Sequence, residues 1–476
     1  MRPLGERFRK VWSGPGGGRE VLKIGYPLIL GQMSFTLQVF VDRLFLTWYS
    51  PDAVAGAVTA LFAVWTFVGL CIGTGEYATT FVAQYYGARR HERIGPAVWQ
   101  GGYFCLASGA VIAALSPLAG PVFALAGHDP AVLRYEVAYA QVLMLGAFPI
   151  VLMPTLSSFF AGRGQTRVIL VANVLATAVN GVLDYLWIFG NGGFPRAGVV
   201  GAALATVASQ VFGCAFYVAL MARAELRARF RTLDVRFEPA LFARLVRYGL
   251  PAGLQYSLEI GAFALFMMIV GRIGASPLAA SGIAFNLNMI VFMPMLGMGI
   301  AVSSLVGKYV GAGRTDLGER ATWTAAGMAF GYMCACGLVY VLLPRLLLAP
   351  YAAGADPAVF GPVADTAVVL LRFIALYSIF DMLNVIFAAG VKGAGDTRYP
   401  LYATVVLSWL SMLVPAYVWC LVLGGGVYAA WTCASAYVVL LGLTMIRRFL
   451  GGRWKEMRVI EGGHAPELDG LETEPA

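Results

Sequence analysis

The chain has 476 residues, of which 59% are hydrophobic and only 12% charged, with a mean hydropathy of +0.74. Soluble domains carry roughly 25% charged residues, so this composition excludes an ordinary water-soluble fold and specifies a polytopic membrane protein. The net charge of +9 is accounted for by where the basic residues stand, and nucleic acid is not needed to explain it.

Cutting the sequence at charged, Gly-rich or Pro-rich breaks leaves twelve apolar runs, each long enough to span a bilayer as a helix of about 20 residues. They cover approximately 24–49, 54–86, 97–125, 132–161, 167–190, 197–222, 247–273, 279–311, 320–348, 361–390, 399–423 and 426–449. The first run is too long for a signal-peptide core and lacks a cleavage site, so the amino terminus is expected to be retained. The resulting organisation is an amino-terminal segment (1–23), a first lobe (24–222), a linker (223–246), a second lobe (247–450) and a tail (451–476). The fold class is all-α and integral to the membrane, with twelve transmembrane helices in two six-helix lobes.

Taken in chain order, five of the 25 acidic residues fall well inside runs. An acid at a helix centre costs roughly 2.5–3.5 kcal/mol on insertion scales, so each calls for a reason. Run one carries Asp42 one turn after Gln38, on the same helical face. Arg43 follows at once and is expected to snorkel to the outer interface. Run two carries Glu76 in a Gly- and Thr-rich stretch, together with the GxxxG pair Gly69 and Gly73. Run five carries Asn173, Thr177, Asn180 and Asp184, a polar stripe at helical spacing. Run seven places Gln255 before Glu259, and run nine has a second GxxxG pair, Gly327 and Gly331. Run ten places Tyr377, Asp381 and Asn384 together. Both glycine pairs are expected to mark close helix packing. A polar stripe is costly against lipid but suits the wall of a hydrated cavity or an interhelical seam.

Putting the amino terminus in the cytoplasm places all but six of the 34 Lys and Arg on the inside, the six being Arg43, Arg134, Arg196, Arg272, Arg345 and Arg372. The positive-inside rule therefore predicts both termini to be cytoplasmic. The chain also repeats itself. Val82-Ala-Gln-Tyr-Tyr-Gly-Ala-Arg-Arg90 resembles Val306-Gly-Lys-Tyr-Val-Gly-Ala-Gly-Arg314, and Gly25-Tyr-Pro27 resembles Gly249-Leu-Pro251, both at an offset of 224. Gly162-Arg-Gly-Gln-Thr-Arg167 and Gly393-Ala-Gly-Asp-Thr-Arg398 are offset by 231. Six helices per half is an even number, so the halves form a parallel repeat. Between them, Arg223 to Arg247 reads as a basic linker ending in a short interfacial helix with Leu241, Phe242, Leu245 and Val246 on one face. The acidic end from Glu461 to Ala476 reads as a solvated tail.

The seven cysteines, Cys71, Cys105, Cys214, Cys334, Cys336, Cys420 and Cys433, lack CxxC spacing and read as small core- or lipid-facing residues. His91, His128 and His464 lie outside the runs, which argues against a histidine proton relay. There is no Walker A loop, HExxH or GxSxG, so neither ATP-driven transport within this chain nor hydrolytic chemistry is expected, and no organic cofactor. The acids can serve proton transfer, or, with amide and hydroxyl oxygens, a sodium ion, and the residues alone leave both open.

In the order and spacing of these features the chain resembles the multidrug and toxic compound extrusion (MATE) family over about residues 20 to 450. Gly25-Tyr-Pro-Leu-Ile-Leu, Phe40-Val-Asp42, Ala83-Gln-Tyr-Tyr-Gly-Ala88 and Gly198-Val-Val-Gly-Ala-Ala-Leu-Ala-Thr206 resemble its amino-terminal lobe. Gly249-Leu-Pro251, Glu259, Tyr377, Asp381 and Gly393-Ala-Gly-Asp-Thr397 resemble its carboxy-terminal lobe. The resemblance implies a cation site at Asp42, Asn180, Asp184 and Thr206 and another at Glu259, Tyr377 and Asp381; from their places in the runs, Glu76, Gln38, Gln255 and Asn384 are accessory candidates. It also implies efflux of organic, often cationic, compounds in exchange for Na+ or H+ by alternating access, in a monomer of the bacterial plasma membrane. Phe35, Tyr256 and Phe285 are the aromatic candidates for supporting a cation. Arg43 beside Asp42 and the extra acid Glu76 depart from the family's pattern.

The main rival is a flippase for a lipid-linked precursor on a related two-lobe fold, whose pyrophosphate would need a cationic cavity rather than this acidic one. A major facilitator would share the twelve helices and Gly87-Ala-Arg-Arg90, but not the paired acids. A membrane scaffold or an intramembrane enzyme would leave the acid stripes unexplained, and no nucleophile and base stand at workable spacing.

Overall fold

The computed structural model describes residues 12–125, 127–352 and 357–461. Within a bilayer the backbone must satisfy its own polar groups, and the apolar runs accordingly form helices. The first lobe comprises α1 (Gly18–Tyr49), α2 (Pro51–Gly87), α3 (His91–Ala124), α4 (Pro130–Ala161), α5 (Thr166–Phe189) and α6 (Gly198–Met221). The second comprises α7 (Pro239–Ile273), α8 (Ala275–Gly311), α9 (Thr315–Leu342), α10 (Pro357–Ala394), α11 (Arg398–Val422) and α12 (Gly426–Leu450). α4 bends by 51° at Gly146. α11 widens to π-helix over Ser408–Leu413 and Tyr417–Val422, on either side of Pro415, whose nitrogen cannot donate.

The linker departs from expectation. Its helix is Ala224–Phe230, and the chain from Pro239 onward is already the first turns of α7, with Leu241 and Leu245 fully buried. Those leucines repeat at helical spacing because they pack inside the protein, and they do not form a separate interfacial helix.

The lobes meet on the face that carries the start of α1 and the end of α12. Gly73 of α2 lies against Gly253 of α7, where an added Cβ would come within 2.9 Å of the Gly253 Cα. Gly297 of α8 lies equally close to the Ile29 backbone of α1. Ser257 Oγ donates to the Thr66 carbonyl at 2.6 Å, and Ser304 Oγ to the Ala161 carbonyl at 2.7 Å. Of the two GxxxG pairs, Gly69 and Gly73 face α7 across this seam, whereas Gly327 and Gly331 have open space where close packing was expected.

The repeated motifs face each other here. A Cβ on Gly87 would stand 1.8 Å from the Lys308 carbonyl oxygen, and one on Gly311 would stand 2.1 Å from the Gln84 carbonyl oxygen. At the offset of 224, Gly87 matches Gly311 and Gln84 matches Lys308. The contact is therefore reciprocal, as a pseudo-twofold axis through the seam requires. Lys308 Nζ also reaches Glu20 of α1 at 3.1 Å, while Gln84 Nε2 donates to the Gly393 and Ala394 carbonyls, each at 3.1 Å.

The segment after α12 adds a strap. Val459 N donates to Gln84 Oε1 at 2.9 Å, and the Glu461 carboxylate is held by Tyr85, Arg93 and Arg244. Partial burial alone would raise the Glu461 pKa, but the Arg244 hydrogen bond and the neighbouring donors outweigh it and hold it at about 2. Glu461 is thus part of the closed seam rather than of a solvated tail, while the rest of that predicted tail lies outside the described residues.

Candidate functional site: two acid clusters either side of a seam

In the first lobe, α1, α5 and α6 bring Asp42, Asn180, Asp184 and Thr206 together, all of them buried. The Asn180 amide lies 3.1 Å from Asp42 Oδ1 and 3.2 Å from Asp184 Oδ2, and the two carboxylates assign its nitrogen to that side, where it donates to both. Asp42 is also within hydrogen-bonding reach of Asp184 and Thr206. Asp184 Oδ1 is buried without a hydrogen-bond partner. Two carboxylates this close repel unless a proton or a cation comes between them, and an unpartnered carboxylate oxygen is chemically suited to either.

The α5 stripe divides in two. Asn173 Nδ2 donates to the Gly31 carbonyl and Thr177 Oγ1 to the Ser34 carbonyl, at 3.5 and 3.3 Å, so this half knits α5 to α1. Only Asn180 and Asp184 enter the acid cluster. Gln38 is buried one turn from Asp42. Arg43 does not behave as a simple interfacial arginine: it is half-buried, its Nε is buried without a partner, and its charge acts on Asp42. Tyr139 of α4, fully enclosed, faces Asp42, Asp184 and Thr206, and an aromatic residue in an apolar run gave no sequence signal of that role. A sixth intramembrane acid, Glu136, lies four residues into the predicted run. It is fully buried, with Oε1 2.8 Å from His128 Nδ1 and Oε2 unpartnered.

In the second lobe, α7 and α10 place Glu259 and Asp381 within each other's field. Asn384 is within hydrogen-bonding reach of Asp381, and Tyr377, buried one turn earlier, faces the same carboxylate. Tyr437 of α12 closes the cluster, with its hydroxyl buried and unpartnered near both acids. Gln255 donates to Thr404 Oγ1 at 3.3 Å and accepts from Lys392 Nζ at 3.3 Å.

Glu76 belongs to neither lobe's cluster. It lies where α2 meets α7, in the field of Lys392 and beside Tyr256, which also faces Glu259. Of the aromatic candidates, Tyr256 is the one beside acids. Phe35 stacks on Trp65 with centroids 5.9 Å apart, and Phe285 is half-buried on Trp431 at 4.9 Å, inside the second lobe. Among the described residues no three His, Cys, Asp or Glu converge, so an ion would be held by carboxylate pairs completed with amide and hydroxyl oxygens.

Comparison with known proteins follows this geometry closely, since the MatE family model matches residues 27–186 and 251–418. The chain belongs to the MATE family of efflux transporters. Membership makes it a multi-pass membrane transporter, not an enzyme, and removes the major facilitator reading. "Multidrug resistance protein NorM" of Burkholderia vietnamiensis is 28% identical over 435 residues, covering 90% of this chain and 93% of that protein. "Probable multidrug resistance protein NorM" of Thermotoga maritima is 25% identical over 456 residues, covering 94% and 96%.

Two solved MATE-fold structures match across the same span. One is the outward-facing conformation of a multidrug resistance MATE family transporter, with a TM-score of 0.82 at 22% identity over 94% of this chain and 97% of that one. The other is a MOP superfamily transporter from Pyrococcus furiosus whose binding pocket is described as having reverse polarity, suggesting a different function. It has a TM-score of 0.79 at 22% identity over the same shares. These likenesses establish the twelve-helix, two-lobe fold.

Proposed function

We propose that this MATE protein is a secondary active antiporter that exports organic cations in exchange for Na+ or H+. The observation that carries the reading is the charge of the interior: each lobe holds a carboxylate pair within its helices, Asp42 with Asp184, both buried, and Glu259 with Asp381, both half-buried. The family fold accommodates pockets of opposite polarity, so fold alone does not choose the substrate, and an acidic interior favours a cation. The NorM relatives, named for multidrug resistance, support a drug-like organic substrate.

In this reading the face carrying the start of α1 and the end of α12 is cytoplasmic, and the closed seam makes the structure outward-facing. An organic cation enters when the lobes part on the cytoplasmic side and is held by the ionised acids, with Tyr256 positioned for a cation–π contact. Rocking of the lobes then closes the seam and exposes the acids to the outside. An entering Na+ or H+ neutralises them and expels the cation. Exchange is enforced if the empty, charged form switches poorly.

Charge selectivity provides the first test. Protein reconstituted in vesicles is expected to transport ethidium at least about tenfold faster than an anionic dye of similar size, a difference of about 1.4 kcal/mol or more. A preference for the anion would overturn the reading and favour a flippase-type substrate bearing phosphate.

A further inference from the structure

One charged side chain at the seam has no part in the exchange described so far. Lys392 stands in the last turn of α10 and is half-buried. Its backbone is pinned to the first lobe, since Tyr77 Oη of α2 donates to the Lys392 carbonyl at 2.8 Å. Its ammonium turns to the second lobe, where Nζ donates to Gln255 Oε1 at 3.3 Å. Gln255 lies one turn before Glu259 on α7, and Tyr77 follows Glu76 directly. Lys392 thus stands between an acid of each lobe, and the charges of both Glu259 and Glu76 act on it.

A lysine in a last helical turn ordinarily serves the helix dipole. Here the ammonium bonds a side chain of α7, and the carbonyl it would otherwise neutralise is satisfied by Tyr77. Glu76 and Tyr77 move with the first lobe, whereas Lys392, Gln255 and Glu259 move with the second. Parting the lobes at this face therefore separates Glu76 from the lysine and leaves Lys392 with Glu259.

We infer that Lys392 is a tethered counter-cation, which shields Glu76 while the seam is closed and leaves it free for a transported cation only when the lobes part. An affinity that differs between the two states is what any exchanger requires, because a ligand bound equally in both shifts nothing. The lysine supplies that difference without a bound ion: in the closed state its charge lies beside Glu76 as well as Glu259, so Glu76 gives up the cation more readily than when the lobes part. This inference rests on the cation-antiport reading.

The test is ethidium transport by reconstituted protein, with KM and kcat measured separately. Lys392→Met is expected to lower KM on the order of tenfold, as an unshielded carboxylate now holds the cation in both states, and to lower kcat because release slows. Lys392→Arg, which keeps the charge, is expected to stay within about twofold of the unaltered chain. In a Glu76→Gln background the KM effect of Lys392→Met is expected to shrink to less than about twofold, since the two residues act as a pair.

Equal effects of Lys392→Met in both backgrounds, a raised KM, or identical behaviour of the Met and Arg variants would overturn the inference. If Lys392→Met does not fold, the Arg variant and Glu76→Gln still decide: an Arg variant with KM shifted tenfold, or a Glu76→Gln variant with KM unchanged or lowered, overturns it. If the unaltered chain transports no organic cation, the antiport reading fails and this inference with it. Cation transport with an unresponsive Lys392 would remove the inference alone.

Discussion

Gly87→Leu is expected to abolish transport while leaving each lobe folded. The site has no room for a Cβ, because the nearest atom is a backbone carbonyl of Lys308 at 1.8 Å, and backbone cannot swing aside as a side-chain end can. Overpacking of this kind costs about 1–3 kcal/mol, and because the contact lies between lobes, that cost falls on the closed state alone. The equilibrium should move toward the open seam by about 5- to 150-fold. Ser304, which bonds across the seam to Ala161, reports it: a Ser304→Cys thiol should become reactive to a polar reagent from that face in the Gly87→Leu background. Gly311→Leu should behave alike, as its Cβ would meet the Gln84 carbonyl. Full transport by either variant would show that the reciprocal glycine contact is not part of the cycle.

Asp381→Asn is expected to lower ion-driven efflux by at least about tenfold, more than about 1.4 kcal/mol in transition-state terms. Asparagine keeps the shape and the contact with Asn384 but removes the charge that Glu259 senses and that a proton or sodium ion would neutralise. Residual ethidium binding should persist through Asp42 and Asp184 in the other lobe, so binding and coupled transport should separate. Measuring ethidium binding and efflux on the same preparation checks this, and undiminished efflux would remove Asp381 from the coupling machinery.

The acids were legible because an ionisable group in a run of Leu, Val and Phe departs from everything around it, and the cost of burying it demands a reason. Their assembly was legible only in part. Asn180 and Asp184 join Asp42, but Asn173 and Thr177, indistinguishable from them in spacing, bond backbone carbonyls of α1 instead. Tyr139 and Tyr437 gave no signal, since a tyrosine in an apolar run reads as core until its hydroxyl is located. Lys392 was hidden for another reason: it lies at the edge of a run in a Gly-rich turn and counted among the cytoplasmic positive charges.

The repeat shows the same division. Offsets of 224 and 231 revealed the two lobes, and the structure shows that the repeated glycines are where the lobes touch. The acids do not follow the repeat: Phe266 stands where the offset would place a second Asp42, and Phe35 where it would place a second Glu259. The symmetry therefore belongs to the hinge-like seam, and the chemistry of each lobe is its own.

The claim that two intramembrane carboxylate pairs exchange an entering ion for an organic cation is tested most directly by counterflow. Vesicles holding the reconstituted protein and ethidium would be exposed to a sodium gradient and a proton gradient in turn, with membrane potential clamped and ion entry recorded alongside ethidium exit. The account predicts that one gradient accelerates ethidium exit, that the same ion enters in step, and that an ethidium gradient alone drives that ion the other way. Ethidium exit that responds to neither gradient, in protein shown to be folded, would contradict it.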